Sequence, residues 1–367
     1  MKTNEKQTRE KLFHVVKRAD ISRGRALLIR IAAVVAALLL CSLLSIALIG
    51  ADPFKFLQTM FKGIFGSDIR IWKFAKDTAV LLCISLAVTP AFRMRFWNIG
   101  AEGQVLVSAL ASVACAFYLG GKISNALLLV IMFFASVIAG ALWAFIPAIF
   151  KAKWGTNETL FTLMMNYVAT YLVAYMLIVW TPNGSSTLGA LKHGHLPEIF
   201  ENEYLLLIIS VLVLTVISYI YLNHTKHGYE ISVVGESENT ARYIGISVGK
   251  VVLRTMFVSG AICGIAGFLI VGALDHSITT TTVGGLGFTA IMVSWLAKFN
   301  PFIMIGTAAL ITGLTQGGAQ VTTTFNISSA FPNMIVGIIL FFIIGCEFFI
   351  NYRINTRASK KKEDNKK

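Results

Sequence analysis

Charge is scarce in this chain: 14% of its 367 residues are Asp, Glu, Lys or Arg, against 56% hydrophobic. Soluble globular domains carry about 25% charged residues, so this shortage excludes a water-soluble fold. Five cysteines, Cys41, Cys83, Cys115, Cys263 and Cys346, all lie inside apolar runs without paired spacing. That excludes a disulfide framework or a zinc site and leaves them as small hydrophobes. H-E-x-x-H and P-loop signatures are missing, carboxylates do not cluster, and the six histidines fall outside the apolar runs. No residue is therefore assigned to catalysis or to a metal. The net charge of +14 does not point to nucleic acid, because Lys and Arg gather at the chain ends and in short loops between apolar runs, which is a topology signal.

What the chain has in quantity is long apolar runs. Residues 27–49 form the first, against about 20 needed to cross a bilayer. No A-x-A-like cleavage site follows it, so it reads as a retained span. Further runs occupy 77–92, 103–119, 126–150, 159–180, 204–222, 251–274, 283–296, 302–315 and 331–350. The class expected is an all-α polytopic membrane protein with about ten transmembrane helices, and with residues 50–76 as an amphiphilic helix in the outer interface. Threading the chain this way puts all but seven of the 32 Lys and Arg residues on one side, so both termini are expected in the cytoplasm. The organisation is then a basic cytoplasmic segment at 1–26, a transmembrane domain at 27–350 and a basic cytoplasmic tail at 351–367.

Polar residues in or beside a span mark a pathway or a fixed partner. Asn98, Glu102 and Gln104 open one span, and two glycines there allow close backbone approach. Glu102 suits a helix N-terminus, either completing the helix start and pairing with Arg93 or Arg95, or facing a hydroxyl-rich solute beside Asn98 and Gln104. At 155–158, Thr156 or Asn157 can cap the next span and Glu158 can complement its dipole. Asn166, about 12 Å deeper, is interhelical glue or a ligand contact, and we read it as lining a pathway. Residues 283–296 read as a short or unwound span broken by Gly284, Gly285 and Gly287. Its Phe288, Thr289 and Trp295, with Thr282, offer aromatic faces and hydroxyls to a base or sugar, or ordinary helix packing.

Between two spans lies a polar stretch, residues 223–250. In it Ser237 is a good N-cap, Glu236 and Glu238 suit a helix start, Arg242 falls in the last turn, and Gly245 can take the left-handed position after the end. The signals bracket about two turns, about 10 Å long, expected on the membrane surface. Locally this is either a docking helix for a soluble partner or a capped turn.

Several separated motifs carry a family resemblance: FRMRFWNIGAEGQ at 92–104, GTNETLFTLMMNYVA at 155–169, GESENTARYIGISVGK at 235–250, SGAICGIAGFLIVG at 259–272 and GLGFTAIMVSWLAKFNP at 285–301. Over about residues 27–350 the chain resembles permease subunits of bacterial ABC importers, in the branch that includes simple-sugar and nucleoside permeases. Sugar-type members often carry an acidic residue where this chain has Thr289, so it looks more like the nucleoside-transporting, basic-membrane-lipoprotein-associated members. The resemblance implies a multi-pass protein of the cell membrane, with no enzymatic chemistry and no cofactor of its own. ATP and Mg would be bound by a cytosolic ABC ATPase docked on the coupling segment, Gly235, Glu236, Asn239, Ala241, Arg242 and Gly245. It further implies a second permease subunit, identical or different, and an extracellular or periplasmic solute-binding lipoprotein. A small polar solute, expected to be a purine nucleoside, would follow a path past Asn98, Glu102, Gln104, Asn166, Phe288 and Thr289. Simple sugars are the alternative. An ion-coupled secondary transporter would need a buried ionisable pair near mid-membrane, and Glu102 and Glu158 lie near span ends.

Overall fold

The computed structural model describes residues 13–17, 22–50, 52–181, 187–200, 202–328 and 330–356. Most of the two basic arms expected at 1–26 and 351–367 therefore lies outside the described residues. In chain order the elements are β1 (Phe13–Lys17), α1 (Arg23–Ile49), α2 (Pro53–Phe65), α3 (Asp68–Arg93), α4 (Ala101–Leu119), α5 (Asn125–Trp154), α6 (Glu158–Trp180), α7 (Leu205–His224), α8 (Lys226–Glu236), α9 (Glu238–Tyr243), α10 (Val248–Ile270), α11 (Leu286–Leu296), α12 (Pro301–Phe325), α13 (Ala330–Asn351) and β2 (Tyr352–Thr356). A π-helical turn, Val271–Asp275, extends α10.

Each of the ten apolar runs becomes a helix. Among the described residues seven helices are long and apolar enough to cross a membrane, while the apolar stretches Ile31–Ile46 in α1 and Leu286–Leu296 are shorter. The all-α expectation is modified by one short antiparallel ribbon, in which β1 pairs with β2 from Phe13 opposite Thr356 to Lys17 opposite Tyr352. Two other boundaries moved. The interfacial helix expected over 50–76 is divided, because Asp52 accepts from Phe54 N at 2.9 Å and Pro53 stands at N1 to start α2, while residues from Asp68 on belong to α3. The run expected to end at 315 continues to Phe325, where Thr322 and Thr323 donate back to the Gly318 and Ala319 carbonyls and so satisfy their hydroxyls inside the helix.

The chain forms two compact units, one of the segments up to Gly66 and from Leu314 on, the other Ser67–Gly313. In the first, α1 packs on α13 and α2, and Gly317 lets Met60 approach closely, since a Cβ there would lie 3.1 Å from the Met60 carbonyl. In the second, α10 is the central helix, packed on α5, α4 and α3. Glycine makes this possible. A Cβ on Gly260 would fall 2.3 Å from the Gly140 carbonyl oxygen, and one on Gly264 would fall 2.4 Å from Val137 Cα, so the backbones of antiparallel α10 and α5 touch. Gly267 turns to α4, where a Cβ would meet Ser108 Cβ and Ala109 N at 2.7 Å. Ser136 Oγ ties the three helices, bonded to the carbonyls of Ser108 (2.8 Å) and Gly264 (2.9 Å).

Candidate functional site

Two breaks in helix geometry organise the larger unit. The first follows α3. Pro90 stands in its last turn, Arg95 adopts φ 61°, and Phe96 N donates to the Ala91 carbonyl at 2.9 Å, closing the helix end. The chain then runs back into the helix bundle without helical structure as far as Gly100, and α4 begins at Ala101 beside the middle of α10. Gln104 Oε1 accepts from Cys263 Sγ at 3.4 Å, and Cys263 lies about 22 Å along α10 at 1.5 Å per residue.

Non-helical backbone at such depth persists only where protein groups satisfy it, and the expected pathway residues do this here. Asn98, Gln104 and Asn166 are buried. Asn98 and Gln104 bond each other twice, Nδ2 to Oε1 at 3.3 Å and Nε2 to Oδ1 at 3.1 Å, and Asn98 Oδ1 also accepts from Gly100 N at 3.0 Å. Asn166 accepts from Gly103 N at 2.8 Å and donates to the Ile99 carbonyl at 2.9 Å. Thr162, absent from the sequence-derived set, accepts from Ile99 N at 3.1 Å. A Cβ on Gly103 would fall 2.9 Å from Asn166 Cα, so the two glycines of this motif admit α6 rather than open space.

The second break follows α10. From His276, which takes a left-handed φ of 48°, the chain stays non-helical until Gly285, and α11 starts level with the start of α4. The two helices then run in opposite directions: α4 continues alongside α10, and α11 runs beside α3, where Thr89 and Ser294 hydroxyls lie 2.9 Å apart. Glu102 stands between the two helix starts. Its Oε1 accepts from Gly285 N at 2.7 Å and its Oε2 from Gly287 N at 2.8 Å. A Cβ on Gly287 would fall 2.5 Å from Glu102 N, so only glycine fits. The pairing of Glu102 with Arg93 or Arg95 does not occur; Arg93 donates to Asn223 Oδ1 at 3.1 Å instead. Charge–charge pairing lost to backbone donors that a helix N-terminus leaves unsatisfied.

Along α11, Phe288 (43% exposed) and Trp295 (50% exposed) share a face, and Thr289 is half-buried with its hydroxyl on the Gly285 carbonyl. Trp97, which sequence reasoning passed over, stands 5.4 Å from Trp295 between ring centroids and is 46% exposed. Phe92 and Phe299 complete this aromatic cluster.

Against the C-terminal end of α3, where the first break begins, lie α8 and α9. Ser237 caps α9 by accepting from Thr240 N at 3.2 Å, and Gly245 follows with φ 84°, so the capped helix stands where the sequence places it. Its predicted residues separate into two groups. Gly235 and Ala241 are buried in the body: a Cβ on Gly235 would fall 2.2 Å from the Arg93 carbonyl, and Ala241 packs in a cluster with Met94, Phe96, Ala148 and Met256. Asn239, Arg242 and Gly245 are exposed, Glu236 also, and Arg242 reaches Glu238 at 3.5 Å. Tyr243, 92% exposed, and Ile244, 55% exposed, were missed, and a solvent-facing Tyr-Ile pair on so polar a helix was the signal. The α8 helix is tied to α10 by the Glu230–Arg254 ion pair. Asn157 rather than Thr156 caps α6, and Glu158 pairs with Lys151 at 2.8 Å.

Among the described residues no group of three or more His, Cys, Asp or Glu is placed to hold a metal. His195 lies against His276, ring centroids 4.0 Å apart.

Long apolar helices, two helices, α4 and the short α11, that meet start to start inside the bundle, and a capped surface helix define a membrane-embedded, multi-pass protein. Residues 70–344 match the family of branched-chain amino acid transport system / permease components, and the chain belongs to that family. It is 30% identical to the guanosine ABC transporter permease protein NupP of Bacillus subtilis over 78% of this chain and 84% of that one. The glucose ABC transporter permease protein TsgB13 of Haloferax volcanii is 28% identical over 86% and 87%, and the nucleoside ABC transporter permease protein NupB of Lactococcus lactis 26% identical over 94% and 98%. Such permeases are not enzymes; they serve ABC importers together with a separate ATPase and a solute-binding protein.

Proposed function

We propose that this permease translocates nucleosides into the cell by alternating access, driven by ATP and Mg bound on the partner ATPase. The observation that carries the reading is the half-exposed aromatic face of Phe288, Trp295 and Trp97 beside Thr289. Flat rings and a hydroxyl suit a base and its sugar, and the nearby Glu102 carboxylate is bound to backbone donors. The names of NupP and NupB support the same class. In this reading Asn98, Gln104 and Asn166 hold the broken segment that shapes the pathway, and Glu102, Phe288 and Thr289 border it. The N- and C-terminal arms and α9 face the cytoplasm, where Asn239, Arg242 and Tyr243 meet the ATPase. A second permease chain and an external solute-binding lipoprotein complete the importer. Radiolabelled uptake of nucleosides, pentoses and hexoses, with and without the gene, tests it: gene-dependent uptake of guanosine or adenosine is expected. Uptake of hexose alone would favour a simple-sugar importer, the second reading, to which the name of TsgB13 points.

A further inference from the structure

We propose that the cavity between the start of α3 and the start of α7 holds the headgroup of a phospholipid that carries both a phosphate and a primary ammonium. The cavity measures about 540 Å³, within the range of small-molecule sites. The α3 helix contributes Lys73 and Lys76 to its wall, and the chain before α7 contributes Glu198 and Glu203. Among the described residues no ion pair joins either lysine to either glutamate. Lys76 lies instead over the Tyr204 ring, 5.0 Å from its centroid. Two cationic and two anionic groups therefore line one space without closing on each other. A ligand of both charges bridges them, phosphate to the lysines and ammonium to the carboxylates.

Placement selects a lipid over a dissolved solute. Tyr204 directly precedes α7, a helix long and apolar enough to cross a membrane. On α3, Lys76 and Lys73 precede the apolar run that starts at 77, by about 1.5 and 6 Å at 1.5 Å per residue. The headgroup layer is about 5–8 Å thick on each side of the hydrocarbon, so both ammonium groups fall at its level. Trp and Tyr gather at this same boundary, and Trp72 and Tyr204 line the cavity. The aromatic cluster assigned to the solute includes Phe92, which lies about 24 Å further along α3 than Lys76. The cavity is thus a separate site, and the inference does not depend on which solute is carried.

The purified full-length chain is compared with the double variant Lys73→Gln, Glu198→Gln by thermal unfolding in micelles doped with phosphatidylethanolamine, phosphatidylcholine or phosphatidylglycerol of one acyl composition. Both replaced side chains are exposed, so without added lipid the variant is expected to match wild type in stability. Phosphatidylethanolamine is expected to raise the wild-type Tm by about 2–4 °C above either other lipid. Choline has no N–H to donate to Glu198 and Glu203, and a glycerol headgroup has no positive charge. In the double variant the difference is expected to vanish, and in Lys73→Arg, which keeps the charge, to remain. Equal Tm in the three lipids overturns the proposal. So does a difference that the double variant retains, since that would be a property of the bulk lipid. Free phosphoethanolamine is the last arm: a shift equal to that of the lipid overturns the lipid assignment, and no shift at the same concentration supports it.

Discussion

Asn98 and Gln104 form a closed pair of hydrogen bonds, each side chain both donor and acceptor to the other, with neither exposed to solvent. The pair fastens the non-helical segment before α4 to the helix it leads into, six residues apart in sequence. Removing either amide leaves the other buried and half-satisfied, at a cost of about 1–3 kcal/mol. Asn98→Ala and Gln104→Ala are each expected to lower thermal stability by that amount, and the double variant by less than their sum. Additive losses in unfolding experiments would show that the two amides act separately.

The contact of α10 with α5 has no room for a side chain. Gly260→Val places atoms where the Gly140 carbonyl already stands, and overpacking of this kind costs about 1–3 kcal/mol or more. Yield of folded protein in size-exclusion chromatography should fall sharply for Gly260→Val and hardly at all for Gly306→Ala, where a Cβ meets nothing within 4 Å.

Burial divides the α9 region into residues that hold it and residues that present it. Ala241→Glu puts an unpaired charge into a packed cluster and is expected to destabilise the chain itself. Tyr243→Ala removes an exposed ring, so stability should change by no more than about 0.5 kcal/mol, while ATP-driven uptake and co-purification of the ATPase fall. An unchanged ATPase yield with Tyr243→Ala would remove α9 as the docking surface.

Loop residues 187–196 rest on the end of α10 through Leu191 N to the His276 carbonyl, Leu196 N to the Gly272 carbonyl, both at 2.8 Å, and the His195–His276 ring contact. Burial first, and then the neighbouring His195, hold the His276 pKa below its ordinary 6.5, against the opposing pull of the Val271 carbonyl and Glu203. The unfolded state therefore binds the proton more readily, and the contribution of His276 is fully present above about pH 6.5 and lost as pH falls through the lower folded value. Cleavage by trypsin at Lys192, measured in wild type relative to His276→Gln at the same pH, is expected to rise as pH falls below about 6.5, and a ratio that does not change with pH would remove His276 as the cause.

Much of this was legible in the chain. The caps at Ser237 and Asn157 and the left-handed Gly245 depend on residues within four positions of one another, and local chemistry at that range does not wait for a fold. Length and apolarity did the same for the helices. The division of residues 50–76 was readable in principle from Asp52-Pro53, an N-cap followed by a proline at N1, but the mixed Phe and Lys pattern concealed it. Glu102 could not be read correctly, because its partners are backbone N–H groups of Gly285 and Gly287, which have no side chain to suggest them. Nor could Ala241 be separated from Arg242, since a helix of six residues has no repeating pattern long enough to reveal which face is covered.

The sequence by itself determined that this is a chain of membrane helices with one polar, capped helix between two of them, because apolar length, charge placement and capping are written in neighbouring residues. Only the tertiary structure decided that α4 and α11 begin at the same depth, that one carboxylate serves both starts, and that the buried amides bind each other and the backbone. Those facts depend on which distant segments meet, and where polar groups are shut away from water, the partner that satisfies them is chosen by packing and not by position along the chain.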